Sequence, residues 1–222
     1  MKKFNLAFIT LAAASTCGLA TAQKAGDVST SFGFTQISPS VSSGNLSAPS
    51  FPGTQIGLSS NSQLSLALNY AVTDSINLHL PIGLGFKHNI TGAGAIAGVG
   101  KLADTRALPI TLIAQYRFLD ANAAFRPFVG AGASYVKFYN TNGTGTLTAL
   151  TNPGGPATGL SFASRLAPTV QLGGVFNFNE KWYAEASYSK SFLKTRGTLT
   201  TGQTIDVKLD PSAYSFQVGY KY

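Results

Sequence analysis

The chain has 222 residues, among them 24 glycines, 15 phenylalanines and 9 tyrosines, but only 16 basic and 8 acidic side chains, for a formal net charge of +8. That composition excludes a disordered chain and a helical bundle, and the single cysteine excludes a disulfide framework. The basic balance does not indicate nucleic acid, because Lys and Arg are scattered singly with no run or basic helix; lipid phosphate is the expected anionic neighbour.

Lys2 and Lys3 precede an apolar stretch from Leu6 to Ala14, followed by Ala20-Thr21-Ala22. This is the pattern of a secretory signal peptide, residues 1–22, removed after Ala22. The apolar run is far shorter than the roughly 20 residues of a membrane anchor. Cys17 lacks the flanking pattern of a lipidation signal, since Ala14 and Thr16 stand where a Leu and a small residue are usual. Residues 23–222 then form one unit of 200 residues with a charge of +6 and no cysteine.

No segment of that unit keeps a period of 3.6, whereas a period of two recurs throughout. Eight segments each carry one apolar face. The first has Val28, Phe32 and Phe34, the second Leu64, Leu66, Leu68, Tyr70 and Val72, and the third Ile76, Leu78, Leu80, Ile82, Leu84 and Phe86. The fourth has Leu108, Ile110, Leu112, Ala114, Tyr116 and Phe118, and the fifth Val129, Ala131, Ala133 and Tyr135. The sixth has Val170, Leu172, Phe176 and Phe178, the seventh Trp182, Ala184, Ala186, Tyr188 and Phe192, and the eighth Tyr214, Phe216, Val218, Tyr220 and Tyr222. The opposite faces are small and polar.

A soluble sandwich would alternate in the same way, so two further patterns decide. Connections alternate between long (37 to 61, 87 to 107, 140 to 165, 195 to 203) and tight (73 to 74, 119 to 124, 179 to 181), as in outer-membrane barrels with short periplasmic turns and long external loops. Tyr70, Tyr116, Phe118, Phe176, Phe178, Trp182, Tyr220 and Tyr222 gather at the tight-turn end, and Phe34, Phe86, Tyr135 and Phe192 at the other. Two aromatic girdles around an aliphatic band match a bilayer. Backbone groups in lipid must be paired within the protein, which requires closure. The expected fold is therefore all-β: an eight-stranded antiparallel transmembrane β-barrel with its apolar face outward.

The stretches "NSQLSLALNYAVTDSINLHLPIG" (61 to 83), "ALPITLIAQYRF" (107 to 118), "FRPFVGAGASY" (125 to 135) and "LDPSAYSFQVGYKY" (209 to 222) together resemble the OmpW family of small outer-membrane proteins. The resemblance covers essentially the whole of 23–222. It implies uptake of small hydrophobic molecules through a narrow apolar channel, with release sideways into the membrane. It also implies a constriction of the lumen by bulky apolar side chains, at positions matched here by Pro81 and Leu166. Proline donates no hydrogen bond, so the third strand is expected to bulge or open near Pro81.

Arg117, Arg126, Glu185 and Lys221 are expected to face inward near the periplasmic end, as an ion-paired plug; a solvated rim position is the alternative for Arg126 and Lys221. Inward Gly83, Gly85, Gly130, Gly132 and Gly173 either leave room or merely permit strand crowding. The loops 37 to 61 and 140 to 164 contain no Lys, Arg, Asp or Glu. Their Leu46, Phe51, Ile56, Leu58, Leu147, Leu150, Leu160 and Phe162 either line a hydrophobic vestibule or pack on one another. Outward Lys137 and Lys190 either meet lipopolysaccharide phosphates or snorkel.

An enzyme is not expected. His79 and His88 are the two histidines, and no acid is evident to orient His79, while Asp74 and Asp104 fall in connections. No metal, cofactor or nucleotide motif is present. The expected partners are membrane lipid, lipopolysaccharide, the assembly machinery that reads a terminal aromatic strand, and a small hydrophobic ligand; a monomer suffices. The competing reading is a structural or adhesive barrel without transport.

Overall fold

The computed structural model describes residues 23–222, so the expected signal peptide and Cys17 lie outside the described residues. In chain order the elements are β1 (Val28–Ser38), β2 (Ser42–Ser43), β3 (Thr54–Leu58), β4 (Asn61–Ala71), β5 (Ile76–Ile82), β6 (Phe86–Gly94), β7 (Lys101–Arg117), β8 (Phe125–Gly143), α1 (Gly145–Thr151), β9 (Leu160–Phe162), β10 (Arg165–Asn177), β11 (Trp182–Ser191), β12 (Lys194–Leu199), β13 (Thr204–Lys208) and β14 (Ser212–Lys221).

Eight antiparallel staves close on themselves in the order β1, β4, β5 with β6, β7, β8, β10, β11, β14. The first and last staves are joined by a ladder from Ser29↔Lys221 to Ser38↔Ser212. The apolar face of every stave points outward, leaving Phe32, Leu66, Ile110, Leu172 and Phe216 at least half exposed. This inversion of the usual hydrophobic arrangement is stable only where lipid replaces water. At the tight-turn end Tyr116 and Phe118 stack edge to face at 5.0 Å, and Trp182, Tyr220 and Tyr222 form a second edge-to-face series at 5.1 and 5.5 Å.

The third stave is broken. β5 pairs with β7 only from Ile76↔Tyr116 to His79↔Ile113, and β6 resumes at Phe86↔Ala107. On its other side β5 leaves β4 at Leu66↔Ile82. Pro81 supplies no N–H where pairing with β7 has stopped, so no donor at that position is stranded in lipid. Residues 83–85 join neither ladder; side chains reach their carbonyls instead, Gln63 Nε2 donating to Leu84 O at 2.5 Å and Arg106 Nη1 to Gly85 O at 3.4 Å.

The break also overturns one girdle position. Strict alternation puts Phe86 on the outward face with Ile82 and Leu84, but Phe86 is buried. The three unpaired residues reset the register, and the ring turns into the lumen.

The long connections are not loops over most of their length. β7 and β8 run 17 and 19 residues, well beyond the 9–11 that cross a bilayer. β3 pairs with β6, and β2, β13, β12 and β9 form a separate four-stranded sheet. These two walls enclose an apolar core of Ile56, Ile90, Leu102, Leu199, Ile205 and Val207. Alternation is visible in these segments, but their burial depends on pairing between segments far apart in the chain.

Candidate functional site

The tight-turn end of the lumen is filled by polar side chains. Arg117 from β7, Arg126 from β8 and Glu185 from β11 are almost fully buried. Glu185 Oε2 lies 3.9 Å from Arg117 Nη2, and its Oε1 lies 4.0 Å from His79 Nδ1. Neither oxygen reaches a protein hydrogen-bond donor. Arg126 does not join this pair: it donates to the carbonyls of Asp74, Arg117, Phe118 and Leu119 and thereby ties two turns together. Lys221 is half-buried and donates to Asn177 Oδ1 at 2.8 Å. The four charges thus form one ion contact and two carbonyl-satisfied cations. His79, for which no acid was evident in the sequence, sits beside Glu185.

Neutral groups complete the closure, and sequence reasoning missed them. Gln23 accepts from Arg117 Nη1 at 2.5 Å. Asn77 bonds Gln115 at 2.9 Å, Gln115 bonds Gln171 at 2.9 Å, and Ser31 donates to Gln217 at 2.6 Å. The ring of Tyr183 covers Gly219, 2.0 Å from where a Cβ would stand. Apart from Gln23, which precedes β1, these are inward positions of β1, β5, β7, β10, β11 and β14, so the signal lies in the register between strands.

Above this closure the lumen opens into a cavity of about 120 Å³ that is open in part to solvent. Its upper wall is Leu58, Phe86, Val136, Phe138, Leu193 and Leu209, and His79, Gln171 and Gln217 form its polar lower end. Between them run two arcs of hydroxyls. Thr111, Ser134, Thr169 and Ser191 link in series at 2.8 Å each, and Thr35 bonds both Ser65 and Ser215 at 2.8 Å. Hydroxyls paired with one another lose little when an apolar body displaces water beside them.

The cavity reaches the outer wall at the strand break, where Pro81, Ile82, Gly83, Leu84 and Pro109 line it. Leu84 is 77% exposed on the outside. Pro81 is therefore at an aperture in the wall. Leu166, matched with it as a constriction, does not face the lumen. It shares the outward parity of Val170 and Leu172, is 69% exposed and pairs with outward Tyr135.

The glycines separate into two kinds. A Cβ on Gly83 would have only Gln63 Nε2 near it, at 3.9 Å, whereas one on Gly132 would meet Leu112 O at 2.0 Å and one on Gly173 Ala186 O at 2.4 Å. Gly83 leaves room; Gly132 and Gly173 permit close backbone approach.

A second, smaller apolar cavity, of about 40 Å³, lies beyond the first. Leu46, Phe51, Ile56, Leu147, Leu150 and Leu160 line it. Of the two remaining vestibule candidates, Leu58 lines the lumen cavity, and Phe162 is buried between the two. Phe162 packs on Phe138 of the lumen cavity at 5.5 Å between centroids, while Leu160, two residues earlier, faces the outer cavity. On β13, Ile205 of the outer cavity stands level with Phe162 across Gly197, and Val207 lies between Ile205 and Leu209 of the inner cavity. Phe162 and Val207 form a septum.

His88 belongs to β6 rather than a loop and bonds Ser59 O through Nδ1 at 2.7 Å. Lys137 is exposed, whereas Lys190 donates to Asp210 O at 2.6 Å and is held against the protein.

A closed antiparallel barrel with an apolar exterior, aromatic girdles and a polar lower lumen defines an outer-membrane β-barrel protein. The model of the OmpW family matches residues 24–222, and the chain belongs to that family. It is 31% identical to outer membrane protein W of Salmonella typhi over 227 residues, covering 100% of both chains. It is 26% identical over 176 residues to the dibenzothiophene metabolism operon protein PahQ of Pseudomonas aeruginosa, covering 77% of this chain and 76% of the relative. The crystal structure of the outer membrane protein OprG from Pseudomonas aeruginosa superposes with a TM-score of 0.81 at 26% identity, over 90% of this chain and 98% of that one. The protein resides in the outer membrane of a Gram-negative bacterium.

Proposed function

We propose that this barrel takes up small hydrophobic molecules from outside the cell and releases them sideways into the membrane. The observation that carries the reading is the cavity bounded by polar closure below, a septum above and an aperture at residues 81–85. A ligand entering the outer cavity past exposed Phe51 and half-exposed Leu150 meets apolar side chains down to Phe162 and Val207. Transient displacement of that septum joins the two cavities. Below them the Arg117–Glu185–His79 group and its amides block descent, and the break beside β7 offers an apolar route out. Burial of hydrocarbon throughout such a route avoids the cost of crossing the polar lower lumen.

A hydrophobic cargo also accords with the relative named for a dibenzothiophene metabolism operon. The last strand, with Tyr220 and Tyr222 on its outward row, is the segment we expect the assembly machinery to read.

The test is uptake of a naphthalene-sized fluorescent hydrophobe by liposomes carrying refolded protein. Uptake faster than into empty liposomes, and slowed by Gly83→Phe, supports the route. Uptake equal to that of empty liposomes removes transport and favours a structural or adhesive barrel.

A further inference from the structure

We propose that the outer face of the sheet β2-β13-β12-β9 binds a phosphate of the glycolipid headgroups in the outer leaflet. The inner face of this sheet is apolar, with Leu199, Ile205 and Val207 turned onto the core. The outer face carries its charges at the alternate positions, Lys194 and Arg196 on β12 and Asp206 and Lys208 on β13.

Strand register divides these charges into one opposite-charge pair and one like-charge pair. Arg196 stands opposite Asp206 and closes on it with two hydrogen bonds of 2.7 and 2.9 Å. Lys194 stands opposite Lys208. Like charges directly across a ladder repel; Asp210 offsets Lys208, and Lys194 is left without a carboxylate partner among the described residues.

Arg165, at the start of β10, lines the same shallow groove together with Ser42. Lys208 reaches Asp210 at 3.1 Å, while Arg165 and Lys194 form no salt bridge among the described residues. Four cations against Asp206 and Asp210 leave an excess of two positive charges, which matches one phosphate monoester near neutral pH.

The groove is also at the right height. Arg165 directly precedes Leu166, 69% exposed, and Lys194 follows Phe192, 51% exposed, by two residues. The cations therefore begin where the lipid-facing surface ends, which is where headgroup phosphates lie. The other external cations are differently placed. Lys87 and Lys101 share Asp104, Lys190 is held by Asp210 O and Ser212 Oγ, and Lys137 is exposed on β8, outside this groove.

Binding of bisphosphorylated lipid A to refolded protein in neutral detergent, read by native mass spectrometry, tests the site. The triple variant Arg165→Gln, Lys194→Gln, Lys208→Gln is expected to bind at least ten-fold more weakly, and Lys24→Gln with Lys181→Gln to bind like wild type. Dephosphorylated lipid A and phosphatidylglycerol are each expected to bind wild type at least ten-fold more weakly than the bisphosphorylated lipid. Lys194→Gln alone is expected to raise the unfolding temperature in lipid-free detergent, by removing the repulsion, and to lower the gain from lipid A. Wild-type affinity in the triple variant overturns the proposal, as does equal binding of phosphatidylglycerol. If the triple variant fails to refold, an unchanged lipid A response in Lys194→Gln overturns it. Hydrophobe uptake does not depend on this face, so each reading stands or falls separately.

Discussion

Glu185 faces Arg117 across the lumen at 3.9 Å, too far for a direct hydrogen bond and too near for either charge to ignore the other. Both side chains are at most 5% exposed. Removing one partner strands the other charge, which costs about 3–5 kcal/mol, whereas removing both is often neutral. Glu185→Leu is therefore expected to lower stability by that amount in urea titrations of refolded protein. The double variant Glu185→Leu, Arg117→Met is expected to recover most of it; a double variant as unstable as the single would show that the pair is not coupled.

Gly83 and Gly132 are expected to respond oppositely to substitution. Gly83→Phe fills open space at the aperture and leaves refolding intact, while slowing hydrophobe uptake several-fold. Gly132→Ala sets a methyl group against Leu112 O and is expected to destabilise the barrel by about 1–3 kcal/mol through forced backbone displacement. Heat-modifiable gel mobility and urea titration measure the second effect, and liposome uptake the first.

Phe162→Ala removes the ring that separates the two cavities. The truncation is expected to cost about 3–5 kcal/mol of stability, as for other buried aromatic residues. If the ring limits passage, uptake rises in the same variant. Reduced stability without faster uptake would make Phe162 a packing residue only.

Asp104 gives the external end a dependence on pH. Its carboxylate accepts from Lys101 at 2.7 Å, and that bond, chiefly, with Asn142 and Lys87, holds its pKa below the usual carboxylate range. A depressed folded pKa contributes stability above the unfolded value of about 3.9, lost as pH falls through the folded one. Amide exchange in β6 and the outer ends of β7 and β8 is expected to accelerate between pH 5 and pH 3, after correction for intrinsic rates. Asp104→Asn is expected to abolish that difference.

Period-two alternation made the barrel legible because lipid demands one apolar face on each stave, a local requirement met residue by residue. Parity alone places Leu166 with Val170 and Leu172, so the match that assigned it to the lumen conflicted with information already in the chain. Phe86 is different. Its outward assignment follows correctly from alternation and fails because residues 83–85 leave both ladders. The external sheets were hidden for a related reason: a short external segment reads as loop until its hydrogen-bonding partner, tens of residues away, is known.

By itself the sequence determined the number of staves, which face meets lipid and, Phe86 excepted, where the girdles lie, since side-chain polarity and a fixed two-residue repeat decide those. Only the tertiary structure decided how the cavities connect. That depends on strand register: which charge faces Glu185, that Lys194 opposes Lys208, that Phe162 falls between two cavities, and that the wall parts at Gly83. Register arises from pairing summed over the whole closed sheet, and no single strand contains it.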